Sequence, residues 1–123
     1  MKVIAIRHGE IELNTEGRTT GWLDVDLSPI GIKQAVQLAQ NMKGGFKIII
    51  SSPLLRALNT AKIISNVHLC QIVQDKNLRE RNFGCLNGKT WAEIHIFHKM
   101  DALATYRLAF YMRRQFHSMP MPL

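Results

Sequence analysis

The sequence lacks a long apolar run, a cysteine framework and a block of basic residues, and each absence narrows its class. Within its 123 residues no hydrophobic stretch approaches the ~18–20 apolar residues of a membrane span. Met1-Lys2 followed by Val3 to Ile6 is shorter than a signal peptide and has no small-residue cleavage site. No membrane partner and a cytoplasmic location are therefore expected. The two cysteines, Cys70 and Cys85, match neither a CxxC pair nor a zinc cluster, which predicts reduced structural thiols. There is no low-complexity tract, internal repeat or linker. At 46% hydrophobic and 20% charged, the chain has the composition of one soluble globular domain and is too apolar for a disordered tail.

Acidic residues are the scarce charge. Nine Asp and Glu stand against 16 Lys and Arg, a formal net charge of +7. Such an excess favours an anionic partner, whether phosphate ester, nucleic acid or acidic surface. It is spread along the chain: residues 1–94 hold 12 basic and 8 acidic residues, and 95–123 hold 4 and 1. Without a run of consecutive Lys or Arg, a nucleic-acid tail is disfavoured.

Val3 to Ile6 is a β-branched apolar run that suits a strand buried on both faces of a parallel sheet. Residues 11–27 show no sustained period and read as a loop. Ser28-Pro29 opens a helix, with Ser as N-cap and Pro at the first helical position. Its predicted apolar face is Ile32, Ala35, Val36, Ala39 and Met42, and Gly44-Gly45 stops it. Phe46 to Ile50 predicts a second buried strand. Ser51-Ser52-Pro53 repeats the helix start, with Leu54, Ala57, Leu58, Ala61 and Ile64 as the next apolar face. A weaker strand over Cys70 to Val73 follows, then candidate helices over Trp91 to His98 and Leu103 to Phe116. This order argues for an α/β domain with a parallel sheet.

Ligands of open α/β sheets bind beyond the carboxyl ends of the strands. Arg7-His8-Gly9-Glu10 and Ser51 to Arg56 stand at two such ends, which adjacent parallel strands would bring together. A cation in a first helical turn opposes the macrodipole, and an anion bound there offsets that cost. Arg7 and Arg56 have forks that match phosphate oxygens. His8 is a nucleophile when neutral, a form that flanking arginines favour. Gly9 allows a substrate close to the backbone. The plainer alternative is a strand-end histidine paired with Glu10. His95 and His98, three apart, lack an acidic or cysteine partner, so no metal site is expected.

Three segments, taken together, resemble the histidine phosphatase superfamily. The first runs from Arg7-His8-Gly9-Glu10 through Asn14, Gly17-Arg18, Thr20-Gly21-Trp22 and Asp24 to Leu27-Ser28-Pro29 with Gly31. The second is Ser51-Ser52-Pro53-Leu54 with Arg56-Ala57 and Thr60-Ala61. The third is Leu78 with Glu80-Arg81, Phe83-Gly84 and Leu86-Asn87-Gly88. Gly21-Trp22 and Glu80-Arg81 are more similar to the cofactor-dependent phosphoglycerate mutases than to the broad phosphatases. The resemblance implies that His8 takes a phosphoryl group from 2,3-bisphosphoglycerate and returns it to a phosphoglycerate, a small phosphorylated metabolite of glycolysis. Arg7, Asn14 and Arg56 would hold the phosphate, and Thr20 and Gly21 would contact substrate. Glu80 would be the general acid and base, with Arg81 and Lys89 on a carboxylate or phosphate. Phe83 stands where the mutases usually have a tyrosine. A phosphomonoesterase using the same His8 and Glu80 is one alternative, and a catalytically dead phosphate-ester binding module is another.

The resemblance makes residues 1–94 the N-terminal part of a phosphoglycerate mutase-like domain and 95–123 its divergent C-terminal segment. The family's later arginines align either with Tyr106-Arg107 or with Arg113-Arg114 ahead of Pro120 and Pro122. Its second catalytic histidine lies in a His-Gly context, and His8-Gly9 is the one such pair here, His68, His95, His98 and His117 lying outside it. A truncated chain, weakly active or inactive, is therefore expected, since losing one transition-state donor typically costs ~10²–10³ in rate. An incomplete sheet would also leave an apolar edge open to self-association.

Overall fold

The computed structural model describes residues 3–100, and the surroundings of side chains over residues 3–96. The chain divides into two compact units, Met1–Lys89 and Thr90–Leu123. The first is an α/β unit in which a short parallel sheet lies against helices.

Helix α1 (Glu12–Thr15) is a single turn inside the stretch predicted as loop. Helix α2 (Pro29–Asn41) begins as its sequence predicts: Ser28 Oγ accepts from the Gly31 amide at 3.0 Å, and Pro29 needs no amide partner. Strand β1 (Ile48–Ser51) leads into helix α3 (Leu55–His68), and strand β2 (Gln71–Gln74) follows. β1 and β2 pair in parallel, with Ile48 opposite Gln71 and Ile50 opposite Val73. α3 packs on both strands and on α2. Two single 3-10 turns, Lys76–Leu78 and Gly84–Leu86, shape the loop that follows.

The buried face of α2 is Gly31, Ala35 and Ala39, which includes the two alanines of the predicted face but not its larger residues. Ile32 and Val36 are exposed. Small residues win because the backbone approaches closely: a Cβ on Gly9 would strike the Gly31 carbonyl, and one on Gly31 the Glu10 backbone. Gly9 thus lets the chain pack closely against α2.

The predicted first strand does not join the sheet, which has two strands among the described residues. Val3 is 76% exposed, and Ile4 and Ile6 are also exposed. A strand is held by its neighbour's amides and carbonyls, and this segment pairs with no described strand. β1 is likewise open on one face, with Ile48 and Ile50 exposed, because α3 covers a single side. We expect these apolar side chains and the edge of β1 that is unpaired among the described residues to drive self-association. Gel filtration that returns one sharp monomeric peak, with cooperative melting, overturns that expectation.

α3 ends on Leu69, whose φ of 53° is left-handed. Its side chain is 91% exposed, so little packing compensates for the conformational cost. Leu69→Gly is therefore expected to stabilise the unit by about 1 kcal/mol, read as a rise in melting temperature. A lower melting temperature sinks the argument.

In the second unit, α4 (Trp91–Met100) starts with a capping box. Thr90 accepts a bond from the Glu93 amide at 3.1 Å, and the Glu93 carboxylate accepts from the Thr90 amide at 2.7 Å. Ile94 is buried. The second predicted helix, both arginine registers and His117 fall outside the described residues.

Candidate active site

A cavity of about 350 Å³ gathers residues from five separate parts of the first unit. Arg7 and His8 come from the N-terminal segment, Asn14 from α1, and Thr20 and Gly21 from the loop before α2. Arg56 comes from the first turn of α3, and Glu80 and Phe83 from the loop after β2. A larger cleft of about 500 Å³ lies between residues 4–7 and the end of α2, lined mostly by apolar groups with Arg7 and Lys43. It holds no nucleophile or acid, so size alone does not locate the chemistry.

His8 is held by the turn that follows it. Its Nδ1 lies 2.6 Å from the Gly9 carbonyl oxygen. A carbonyl can only accept, so Nδ1 carries the proton and Nε2 keeps its lone pair. Desolvation lowers the imidazole pKa below the ordinary 6.5, and the charges of Arg56 and Arg7 push the same way. The Gly9 carbonyl and Glu80 oppose them. The outcome is a neutral, nucleophilic ring at neutral pH. Glu10 does not pair with it: the Glu10 carboxylate accepts from Ser28 Oγ at 2.9 Å, and its amide donates to Gln34. The Gly9 amide donates to Thr60 Oγ1 at 3.2 Å, and that hydroxyl donates to the Arg56 carbonyl at 2.8 Å. Buried Thr60 therefore ties the His8 turn to the first turn of α3.

Arg56 is 3% exposed. Its guanidinium donates to the carbonyls of Leu23 and Gly21, each at 2.8 Å. Two of its five N–H donors are spent on this loop, and the residue also lines the cavity. The end of α3 next to it differs from expectation. The helix starts at Leu55, with Leu54 as N-cap and no capping by its own side chain. The Leu55 amide donates to Asp24 Oδ1 at 2.7 Å, so a carboxylate from the loop caps this end of the helix. Asp26 adds a second staple, accepting from Asn59 at 2.7 Å.

Together these bonds fix Thr20 to Leu23 against α3. Gly21 has φ +48°, and a Cβ there would meet Asn87 Oδ1 and stand 2.9 Å from Phe83 Cδ2. Gly21→Ala is expected to cost roughly 2–4 kcal/mol, combining backbone strain with overpacking. Urea melts of the variant test this, and a cost below about 1 kcal/mol contradicts it.

Glu80 lies in an irregular stretch. Its Oε1 accepts from the Arg81 amide at 3.1 Å, and its carbonyl accepts from Trp22 Nε1 at 2.7 Å. Asn87 Oδ1 accepts from the Phe83 amide at 3.3 Å, and Thr19 and Gly88 bridge the two loops through backbone bonds. Arg81 and Lys89 are exposed and do not line the cavity. The Arg81 guanidinium instead lies over the Phe83 ring, 5.6 Å from its centroid. His68 bonds the Ala39 carbonyl through Nε2 and meets the Phe46 ring edge-on, a packing role. Among the described residues no group of three or more His, Cys, Asp or Glu side chains gathers to hold a metal ion, and no helix is long and apolar enough to cross a membrane.

Sequence reasoning assigned no role to Asp24, Thr60 or Asn87. Asp24 and Thr60 stand inside the recognised segments and act through partners 31 and 51 positions away.

The cavity thus gathers a neutral histidine, two arginines and a carboxylate. Residues 3–109 match the Histidine phosphatase superfamily (branch 1), and the chain belongs to that family. It is 38% identical over 96 residues to the probable phosphoglycerate mutase GpmB of Proteus mirabilis, covering 77% of this chain and 45% of the relative. It is 35% identical over 95 residues to a metal-independent phosphoserine phosphatase of Arabidopsis thaliana, covering 75% and 40%. The crystal structure of an Entamoeba histolytica phosphoserine phosphatase in complex with 3-phosphoglyceric acid is similar, with a TM-score of 0.67 at 42% identity over 72% of this chain and 44% of that one. The chain spans less than half the length of these relatives.

Proposed function

We propose that the chain carries a phosphohistidine site for small, carboxylate-bearing phosphate monoesters of the phosphoglycerate and phosphoserine kind. One observation carries the reading. His8, its Nδ1 proton committed to the Gly9 carbonyl, lines the same cavity as Arg7, Arg56 and Glu80.

In the first step, the Nε2 lone pair of His8 attacks phosphorus as the P–O ester bond breaks. The electron pair leaves on the ester oxygen, which takes a proton from the Glu80 carboxylic acid. Arg7, Asn14 and Arg56 neutralise and orient the phosphoryl oxygens. In the second step, Glu80 removes a proton from an acceptor hydroxyl, which attacks the phosphohistidine and frees His8. Similarity to mutases favours a phosphoglycerate hydroxyl as acceptor, with 2,3-bisphosphoglycerate as the donor that primes His8. Similarity to phosphatases favours water, with release of inorganic phosphate.

The test is to incubate the chain with phosphorus-labelled 2,3-bisphosphoglycerate or phosphoserine and look for acid-labile, alkali-stable label on His8. Label that passes to phosphoglycerate supports the mutase reaction, and label released as phosphate supports the phosphatase. No label from either donor overturns the phosphohistidine reading. Phosphate-ester binding without label would leave the binding module in its place.

A further inference from the structure

Trp22 is a large aromatic residue, 48% exposed, and burial does not explain its place. It sits inside a turn closed by the Leu23 amide donating to the Thr20 carbonyl at 2.9 Å. The carbonyls on either side of it, Gly21 and Leu23, are both pinned by the buried Arg56 guanidinium. The indole is therefore mounted on one of the most constrained turns of the unit.

From that mount Nε1 donates to the Glu80 carbonyl at 2.7 Å. Glu80 lies outside any helix or strand. Among the described residues, the Trp22 indole makes the hydrogen bond that ties its main chain to a distant segment. The Glu80 carboxylate is in turn oriented by the amide of the next residue, so its position follows the main chain at 80–81. The Arg79 guanidinium lies 5.2 Å from the Trp22 ring centroid and covers the ring from the other loop.

We propose that Trp22 is a positioning residue for the general acid: its indole N–H holds the main chain of Glu80 so that the carboxyl meets the ester oxygen. The same turn accepts from Arg56, so the phosphate-holding cation and the proton donor share one rigid reference. This rests on the role proposed for Glu80 above.

Leaving-group chemistry separates positioning of an acid from general support of the fold. An alkoxide leaves poorly without a proton, whereas p-nitrophenolate is a stable anion and leaves without one. The experiment compares single-turnover phosphohistidine formation from phosphoserine and from p-nitrophenyl phosphate in wild type, Trp22→Phe and Glu80→Gln. Trp22→Phe keeps an aromatic ring under Arg79 and removes the N–H donor with one ring of the indole.

With phosphoserine, Trp22→Phe is expected to react about tenfold more slowly, and with p-nitrophenyl phosphate less than about twofold more slowly, part of the ~10²–10⁴ that a positioned acid supplies. Glu80→Gln should show the same selectivity in a larger form. Equal losses on both esters in Trp22→Phe, or none, overturn the proposal while a selective Glu80→Gln leaves the role of Glu80 standing. If Glu80→Gln is itself unselective, the acid assignment fails and the proposal falls with it. A wild-type chain that forms no phosphohistidine from either ester overturns both.

Discussion

A His8→Ala chain is expected to take up no phosphoryl label, and any turnover of phosphoserine or phosphoglycerate should fall by on the order of 10⁴ or more. No other described side chain in the cavity can replace it. Asn14 and Thr20 are not activated, and Glu80 has the other task in the proposed mechanism. The loss should appear with p-nitrophenyl phosphate as well, since a better leaving group does not substitute for a missing nucleophile. Residual label on the variant would place the nucleophile elsewhere.

The same residue carries a pH signature. Its folded pKa lies below 6.5, chiefly through desolvation and then through Arg56 and Arg7. As pH falls through 6.5 the unfolded chain binds the proton first, so stability declines on the acid side and is unaffected well above 6.5. Phosphoryl capture should keep its full rate at neutral pH and lose it only below 6.5, where the ring takes its second proton. Urea midpoints of wild type and His8→Ala between pH 5 and pH 8 check the sign. A variant whose stability falls toward acid as steeply as wild type contradicts the assignment.

The second large effect is expected at Arg56. Replacing it with methionine leaves the carbonyls of Gly21 and Leu23 without their donor, at about 1–3 kcal/mol for each that stays buried. Relief of the guanidinium's own desolvation offsets part of this, so a net loss of roughly 2–4 kcal/mol is expected. Arg56→Lys keeps the charge but not the fork, and a single ammonium does not reproduce two separated bonds plus a phosphate contact. Its stability should fall between the two. Phosphate affinity should drop by about 10² in Arg56→Met, because the variant loses both the cation and the ordered Thr20–Leu23 turn. Calorimetry with and without inorganic vanadate separates these terms. A variant that melts like wild type and is still stabilised by vanadate shows that Arg56 is neither strut nor ligand.

Gly21→Ala and Arg56→Met act on the same turn from opposite sides. Their stability losses should therefore combine non-additively. Once the turn has left α3, the contact of a new Cβ with Asn87 no longer has to be made.

Much of the local structure was legible because it is written in neighbouring residues. Ser28-Pro29 caps α2 within three positions, and β1 and β2 lie within two residues of where their β-branched runs predict them. Polar residues on a buried helix face were less legible. The apolar period along α3 picks out Ala61 and Ile64 but passes over Arg56 and Thr60, which are equally buried. Their burial becomes tolerable only through bonds to Gly21, Leu23 and Gly9, and no count of hydrophobic spacing contains those bonds. The Val3–Ile6 run shows the reverse. Its composition is that of an interior strand, yet no described strand pairs with it, and strand propensity without a ladder leaves an exposed extended segment.

What the sequence by itself determined was the family, through three ordered segments, and the ends of most elements, through short-range capping and turn signals. The tertiary structure alone decided which residues of those segments share a cavity. It brought His8, Arg56 and Glu80 together, left Arg81 stacked on Phe83, and used Asp24 as a helix cap. The physical reason is separation along the chain. The deciding bonds join residues 31 to 58 positions apart, and such contacts exist only after the cost of closing long loops has been met by packing of the whole unit.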